Sequence, residues 1–132
     1  MNREIKFRIW ADNKFYNKCL VGNTNNTNDE KWTCPMVWLE KQKGWVHCDN
    51  GIICQYTGLH DKNGKEIYEG DIVVDKEDEV MGEITWNEEE ASFYFSILYE
   101  NGTYEEEKLN DWASVLEVIG NIYDNPELLG GE

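Results

Sequence analysis

The residues best placed to do chemistry are two carboxylates that flank a glycine, Glu69 and Asp71, in the stretch KNGKEIYEGDIVV. Side chains two apart in an extended segment point the same way, so this pair could bind a cation or share a proton. No nucleophile or reliable base lies beside them in the sequence. We therefore predict a structural corner, in which Gly70 takes a positive φ and Asp71 accepts hydrogen bonds from the backbone.

A metal site is the second chemistry to consider, because the chain holds four cysteines and two histidines. Structural zinc sites pair their ligands at short, regular spacings. Cys34, Cys48, Cys54 and His60 show no such pair, and the neighbours His47 and Cys48 would point to opposite faces of a strand. We predict no metal and no cofactor, and we expect the cysteines to be reduced thiols.

Sequence motifs for catalysis are missing as well. The chain has no glycine-rich phosphate loop, no dinucleotide fingerprint, no nucleophile elbow and no zincin helix. The sequence therefore predicts no catalytic residues and favours a protein that is not an enzyme. An enzyme or nucleic-acid-processing accessory with an unrecognised site stays open as an alternative.

The charge of the chain limits its partners. Asp and Glu total 27 against 12 Lys and Arg, a net charge of −15. Such a surface repels phosphate backbones and anionic lipids, so we expect no direct binding to duplex DNA and no membrane association. A basic protein would be attracted.

Two acidic runs, Glu88–Glu90 and Glu105–Glu107, are interpreted as solvated surface. An alternative reading places them on a negative face that mimics DNA and inhibits a DNA-binding protein.

The elements that must position these groups are short strands. Apolar and polar residues alternate at 4–10, 34–40, 80–86 and 92–99. The chain turns at 11–14, at 41–44 and at Asn63-Gly64, and a further Asn-Gly turn is predicted at 101–102. The polar, Asn-rich stretch 22–31 is predicted to be a loop. Many short strands at this spacing indicate a small barrel or sandwich.

Further residues complete the structural prediction. Pro126 suits the first position of a short helix over 126–129. Gly58, Gly64 and Gly120 are assigned to structural positions together with Gly70.

Six tryptophans are more than a small core needs. Core packing accounts for most of them, but an exposed pair among Trp32, Trp38 and Trp45 would indicate an interface.

Three blocks of sequence carry a family resemblance: REIKFRIW near the start, QYTGLHDKNGKEIYEGDIV in the middle and LEVIGNIYDNPELL near the end. They resemble the signature blocks of the YopX family of bacteriophage and prophage proteins, in the same order. The resemblance implies a mainly-β fold with a small barrel of the Src-homology-three-like kind. Together with the residue patterns above, it predicts a partly open barrel with an N-terminal hairpin extension and a short C-terminal helix. In a phage or prophage protein, the possible basic partner and the target of a DNA mimic would be host or phage proteins. It also implies life in a bacterial cytoplasm and self-association, and it brings no established activity and no catalytic residues.

Together these observations predict one domain over residues 1–132. We expect an N-terminal hairpin at 1–21, a variable insertion at 22–50, and the barrel core with the C-terminal helix at 51–132. The predicted function is that of a phage or prophage accessory protein that acts through protein–protein contacts, with a homo-oligomer as its expected state.

Overall fold

The computed structural model describes residues 4–25, 31–48, 50–99 and 103–129. The chain divides into two compact units, an N-terminal unit of Ile5–Gln55 and a C-terminal unit of Met1–Glu4 with Tyr56–Glu132. The fold is mainly β, with a curled sheet that makes half a barrel and a short C-terminal helix. This confirms the predicted small, partly open barrel.

The N-terminal unit is built from antiparallel strands. Strand β1 lies between β2 and the first residues of β6, and β4 lies between β3 and β5. The strands are β1 (Phe7–Ala11), β2 (Lys14–Tyr16), β3 (Cys19–Asn25), β4 (Lys31–Leu39), β5 (Gly44–His47) and β6 (Ile52–His60), of which β6 ends in the other unit.

The predicted N-terminal hairpin is formed by β1 and β2, with Ala11 opposite Lys14. Asp12 and Asn13 in the two-residue turn have φ values of 53° and 64°, as a type I′ turn requires. The extended stretch predicted to follow this turn is divided, because β2 ends at Tyr16 and the next strand, β3, pairs with β4 instead.

The prediction of a loop over residues 22–31 was wrong at both of its ends. Strand β3 runs to Asn25, and β4 begins at Lys31. The pairing that starts at Cys19 and Val37 continues without a break to Asn25 and Lys31. Backbone hydrogen bonds therefore extend the ladder through polar residues, which show no hydrophobic periodicity.

The core of the N-terminal unit is small. Its buried residues are Ile9, Ala11 and Val37. Partly buried side chains complete it, namely Tyr16, Cys19, Leu39, Cys48 and Ile53.

A five-stranded antiparallel sheet dominates the C-terminal unit, in the order β11-β10-β9-β8-β12. The end of β6 pairs with β7 in the same unit. The elements are β7 (Glu66–Tyr68), β8 (Asp71–Asp75), β9 (Val80–Asn87), β10 (Ser92–Leu98), β11 (Tyr104–Lys108), α1 (Leu109–Trp112), a 3-10 turn (Ala113–Val115), β12 (Glu117–Asn121) and a 3-10 helix (Pro126–Leu129). The predicted turn at 101–102 lies outside the described residues. Among the residues described, no helix is both long and apolar enough to span a bilayer.

The larger core belongs to the C-terminal unit. Phe93, Phe95 and Ile97 alternate along β10 and are all buried, as the period of a strand requires. Each fully buried side chain of this size contributes about 1.5–3 kcal/mol to folding. Residues from β7, β8, β9, α1 and the 3-10 turn complete the cluster, together with the residue that precedes β12. They are Ile67, Val73, Ile84, Leu109, Ala113 and Leu116.

Candidate functional site

The acidic corner of Glu69, Gly70 and Asp71 lies where β7 ends and β8 begins. Gly70 has a φ of 89°, its N–H donates to the carbonyl of Ile84 over 2.9 Å, and its carbonyl accepts from the N–H of Ile122 over 2.9 Å. The carboxylate of Asp71 is buried and accepts a 2.8 Å hydrogen bond from the N–H of Tyr68. Backbone donors thus hold this carboxylate inside the corner.

The neighbouring carboxylate of Glu69 affects the pKa of Glu83. Burial raises the pKa of Glu83, and the negative charge of Glu69 raises that pKa further. No group of three or more His, Cys, Asp or Glu among the described residues could hold a metal ion. The arrangement is therefore a repulsive pair of acids, with Glu69 in the turn between β7 and β8 and Glu83 on β9.

Asp61 is a structural carboxylate that the sequence analysis did not single out. One of its oxygens accepts from the N–H groups of Asn63 (2.8 Å) and Lys65 (2.9 Å), and the other accepts from the N–H of Val118 (2.9 Å). Burial alone would raise the pKa of Asp61, but these three backbone donors outweigh burial, so its pKa is lowered. Its position, directly before Lys62-Asn63-Gly64, was the one available signal, because an Asp ahead of a turn often caps it.

The other predicted structural residues lie at irregular points of the backbone. Gly64 (φ 83°) follows Asn63 in the β6–β7 loop, and Gly58 (φ 88°) lies where the β6–β7 register shifts. Gly120 follows a register shift in β12, and a Cβ there would collide with the Asn125 side chain. Pro126 begins the C-terminal 3-10 helix.

A cavity of about 700 Å³ opens in the C-terminal unit, and we call it the aromatic groove. It forms where the core face of the β9–β10 hairpin reaches solvent. Ile84 is fully buried, whereas Trp86, two residues further along the same face, is 40% exposed. The residues that line the groove are Glu4, Tyr56, Thr57, Gly58, Leu59, His60, Trp86, Ala91, Ser92, Phe93 and Asn110.

The aromatic side of this groove is built by one cross-strand pair. Trp86 lies directly opposite Phe93, and their ring centroids are 4.9 Å apart at an interplanar angle of 65°. Edge-to-face geometry of this kind stabilises the pair beyond simple burial. The indole of Trp86 therefore has a fixed place at the rim of the groove.

The opposite side of the groove comes from β6. Between Tyr56 and His60 the strand carries two more residues than its partner β7. The hydroxyl of Thr57 forms hydrogen bonds with backbone groups at this irregularity. It donates to the carbonyl of Ile67 over 2.7 Å and accepts from the N–H of Leu59 over 3.2 Å. The Tyr56 hydroxyl lies 3.4–3.5 Å from the two ring nitrogens of His60.

One polar atom stands out near the groove. The hydroxyl oxygen of Ser92 is shielded from solvent and has no hydrogen-bond partner among the described residues. Because its neighbour Phe93 faces the groove together with Trp86, alternation along β10 directs the Ser92 side chain to the opposite face of the sheet. This hydroxyl is therefore not a binding group of the groove.

A second candidate surface is the outer side of the β3–β4–β5 sheet in the N-terminal unit. Trp38 lies opposite Trp45, and Leu20 lies opposite Met36. Because Val37 between them points into the core, these four side chains share the other side. We call this set the tryptophan face.

The geometry of the tryptophan face leaves apolar surface in water. The two indole centroids are 5.4 Å apart, while Trp45 is 38% and Leu20 is 50% exposed. Trp32, the third predicted interface residue, belongs to β4, but its side chain lies outside the described part of the structure.

The two acidic runs lie in different settings. Glu88, Glu89 and Glu90 are exposed at the tip of the β9–β10 hairpin. Glu105 and Glu107 point to one side of β11 and Glu106 to the other. The second run therefore does not form a single row of carboxylates, and the DNA-mimic alternative stays a hypothesis.

The thiols offer little nucleophilic chemistry. Cys19, Cys48 and Cys54 carry no disulfide, and Cys34 lies among the undescribed side chains. Burial raises the pKa of Cys19, whose thiol donates to the carbonyl of Phe7 over 3.3 Å. A raised pKa lowers the thiolate fraction and with it the reactivity.

Comparison with known proteins places this arrangement in context. A family model described as YopX protein matches residues 6–130. The crystal structure of protein EF1440 from Enterococcus faecalis is similar, with a TM-score of 0.59 and 24% identity over 97% of this chain and 99% of that one. Protein yopX from Bacillus subtilis gives a TM-score of 0.55 and 19% identity over 93% and 96%. The curated proteins give no match. At these identities the two structures establish a shared fold and no shared activity.

Proposed function

The chain belongs to the YopX family, and from that membership we propose that it is a non-enzymatic accessory protein of a phage or prophage. It acts through protein–protein contacts in the cytoplasm of the bacterial host. One of these contacts joins two copies of the chain through the tryptophan face, which makes the protein a homo-oligomer.

The observation that carries this proposal is the indole pair, in which Trp45 is 38% exposed and Trp38 is half-buried. Trp38 and Trp45 stand side by side on a strand surface, and Leu20 extends the apolar area beside them. Tryptophan is among the residues that contribute most to protein–protein interfaces when it is buried by a partner. A second copy that covers this face would bury both indoles.

The local charge of the tryptophan face suits a second copy. The ammonium of Lys18 lies 3.9 Å from the centre of the Trp38 ring, and the Trp38 indole N–H donates to a carboxylate oxygen of Glu40 over 3.0 Å. One charge of each sign therefore flanks the indole, in a chain whose net charge is −15. Two copies repel each other at low ionic strength, and salt screens that repulsion without weakening an apolar contact.

Sedimentation equilibrium at about 20 and about 300 mM NaCl tests the proposal. We expect self-association that strengthens with salt and that Trp45→Ser weakens about tenfold or more. Trp86→Ser is the matched control, because Trp86 is 40% exposed and lies in the other unit. A chain that stays monomeric at both salt concentrations, or equal effects of the two substitutions, would contradict the proposal.

A further inference from the structure

We propose that the aromatic groove binds an extended peptide segment of another protein, in which a lysine or arginine side chain stands next to an apolar one. This site is separate from the tryptophan face and does not depend on self-association. The groove of about 700 Å³ falls within the size range of ligand sites in proteins. It is much larger than a single side chain, so it suits several residues of a peptide.

The sign of the ligand's charge follows from the carboxylates around the groove. Glu4 is the one residue with a full negative charge in its described lining, which includes no lysine or arginine. Glu88, Glu89 and Glu90 form the exposed turn between the groove residues Trp86 and Ala91. Glu4 in the lining and the three glutamates of the adjoining turn favour a cation and repel the phosphates of a nucleic acid.

The aromatic pair selects what accompanies this cation. The indole of Trp86 is held by Phe93 at a centroid distance of 4.9 Å and is 40% exposed. An exposed indole attracts a lysine or arginine side chain through its ring and also contacts apolar groups. In a ligand with a cationic residue followed by an apolar one, the cation would pair with the glutamates and the apolar side chain would pack on the rings.

A polar residue of the groove suits a peptide backbone. Asn110, an exposed residue with an amide side chain, lines the cavity. An amide can donate to a carbonyl and accept from an N–H. A peptide main chain supplies both kinds of group at regular intervals, whereas a simple diamine or polyamine supplies donors alone.

The test is amide chemical-shift mapping of the isotope-labelled full chain with capped hexapeptide mixtures at about 50 mM NaCl. One mixture has a fixed central Arg-Leu pair, and its matched control has Glu-Leu. Spermidine is the third probe. We expect shifts at Trp86, Ser92, Phe93 and Asn110 with the Arg-Leu mixture, and affinity at least about tenfold lower for the Glu-Leu mixture and for spermidine.

Two variants connect the binding to the groove. Trp86→Ala should lower the affinity for the Arg-Leu mixture about tenfold. Trp45→Ala on the tryptophan face should leave that affinity unchanged. In case Trp86→Ala does not fold, the combined change Glu88→Gln, Glu89→Gln and Glu90→Gln alters only exposed turn residues, and it should weaken binding severalfold at low salt.

The proposal is overturned if the Arg-Leu mixture causes no shifts at the groove, or if the Glu-Leu mixture binds equally well. Spermidine bound as tightly as the peptide would indicate a polyamine site and would also overturn it. These results are independent of sedimentation, so a monomeric protein could still bind the peptide, and an oligomer could fail to bind it.

Discussion

Asp61 ties the β6–β7 loop to β12 through three backbone hydrogen bonds from one side chain. Its partner Val118 is 57 residues away in sequence. The sequence could suggest the turn, because Asp61 precedes Asn63-Gly64. It could not suggest the long-range bond, which depends on where β12 packs.

Asp61→Asn should lower the free energy of unfolding by about 1–3 kcal/mol at pH 7, because the amide nitrogen cannot accept the bond from Val118. The folded pKa of Asp61 is below the unfolded value, so its carboxylate contributes stability above pH of about 4 and loses that contribution as the pH falls through the folded pKa. Urea denaturation at pH 7 and in acid measures the difference, which should shrink in acid. Asp78→Asn, at an exposed turn, is the control. An equal effect of both changes at pH 7 would argue against this role.

Glu83 should respond to pH in the opposite direction. Burial and the charge of Glu69 raise its pKa in the folded protein, so the fold favours its protonated form. This stability is present below the unfolded pKa of about 4.3 and is lost as the pH rises through the folded value. Glu83→Gln should therefore stabilise the protein at pH 7, on the order of 0.5 kcal/mol.

Urea midpoints at pH 7 and pH 4 measure the effect of Glu83→Gln, with the exposed Glu89→Gln as the comparison. The gain should be largest at neutral pH. A variant less stable than the original at pH 7 would show that the carboxylate of Glu83 is favourable where it lies.

At the scale of elements, the bulge in β6 depends on one hydroxyl. Thr57 is buried and bonds the carbonyl of Ile67 and the N–H of Leu59. Thr57→Val keeps the shape of the side chain but leaves both backbone groups without this partner, so it should cost about 1–3 kcal/mol. Thr85→Val, at a half-buried position of β9, should be nearly neutral. Thermal or urea unfolding of the two variants checks the contrast, and similar losses for both would contradict it.

Because β9 packs closely against β10, substitution of Gly82 should destabilise the protein more than substitution of Gly64. A Cβ at Gly82 would collide with the carbonyl oxygen of Ser96 and lie 2.6 Å from the Phe95 ring. A Cβ at Gly64 would meet nothing within 4 Å, although its φ is 83°. Gly82→Ala should therefore cost about 3 kcal/mol or more, and Gly64→Ala about 1 kcal/mol. Urea midpoints give the order, and the reverse order would refute the argument.

The sequence was informative where hydrophobic alternation and turn residues coincide. The hairpin of β4 and β5 follows from Val37, Leu39 and Gly44, and it brings Trp38 and Trp45 together. The strand ends near 22–31 could not be predicted in this way, because their pairing rests on backbone hydrogen bonds between polar residues. Register is set by distant partners, which local pattern does not record.

The candidate groove was beyond prediction for a related reason. Its walls come from β6, the β9–β10 hairpin and α1, which are far apart in sequence. No short motif joins Tyr56, Trp86 and Asn110. Alternation along β9 did place Ile84 and Trp86 on one side, but only the fold shows that this side emerges into solvent at Trp86.

At the scale of the whole molecule, the net charge of −15 should make stability depend on salt. Self-repulsion destabilises a compact acidic chain, and ions screen it. Raising NaCl from about 20 to about 200 mM should increase the free energy of unfolding by about 1 kcal/mol, or a few degrees in Tm. Calorimetry measures this change, and a smaller increase is expected for the chain with Glu88, Glu89 and Glu90 changed to Gln. A Tm that falls with added NaCl would be inconsistent with repulsion.

The glutamates of β11 have a consequence for how the protein behaves when it is concentrated. Strand β11 lies at the border of its five-stranded sheet, with main-chain groups available on one side, and Glu105–Glu107 run along it. A foreign strand that tried to extend the sheet there, in particular the same strand of another molecule, would bring like charges face to face. Like-charge repulsion along this border thus opposes fibrillar growth at neutral pH.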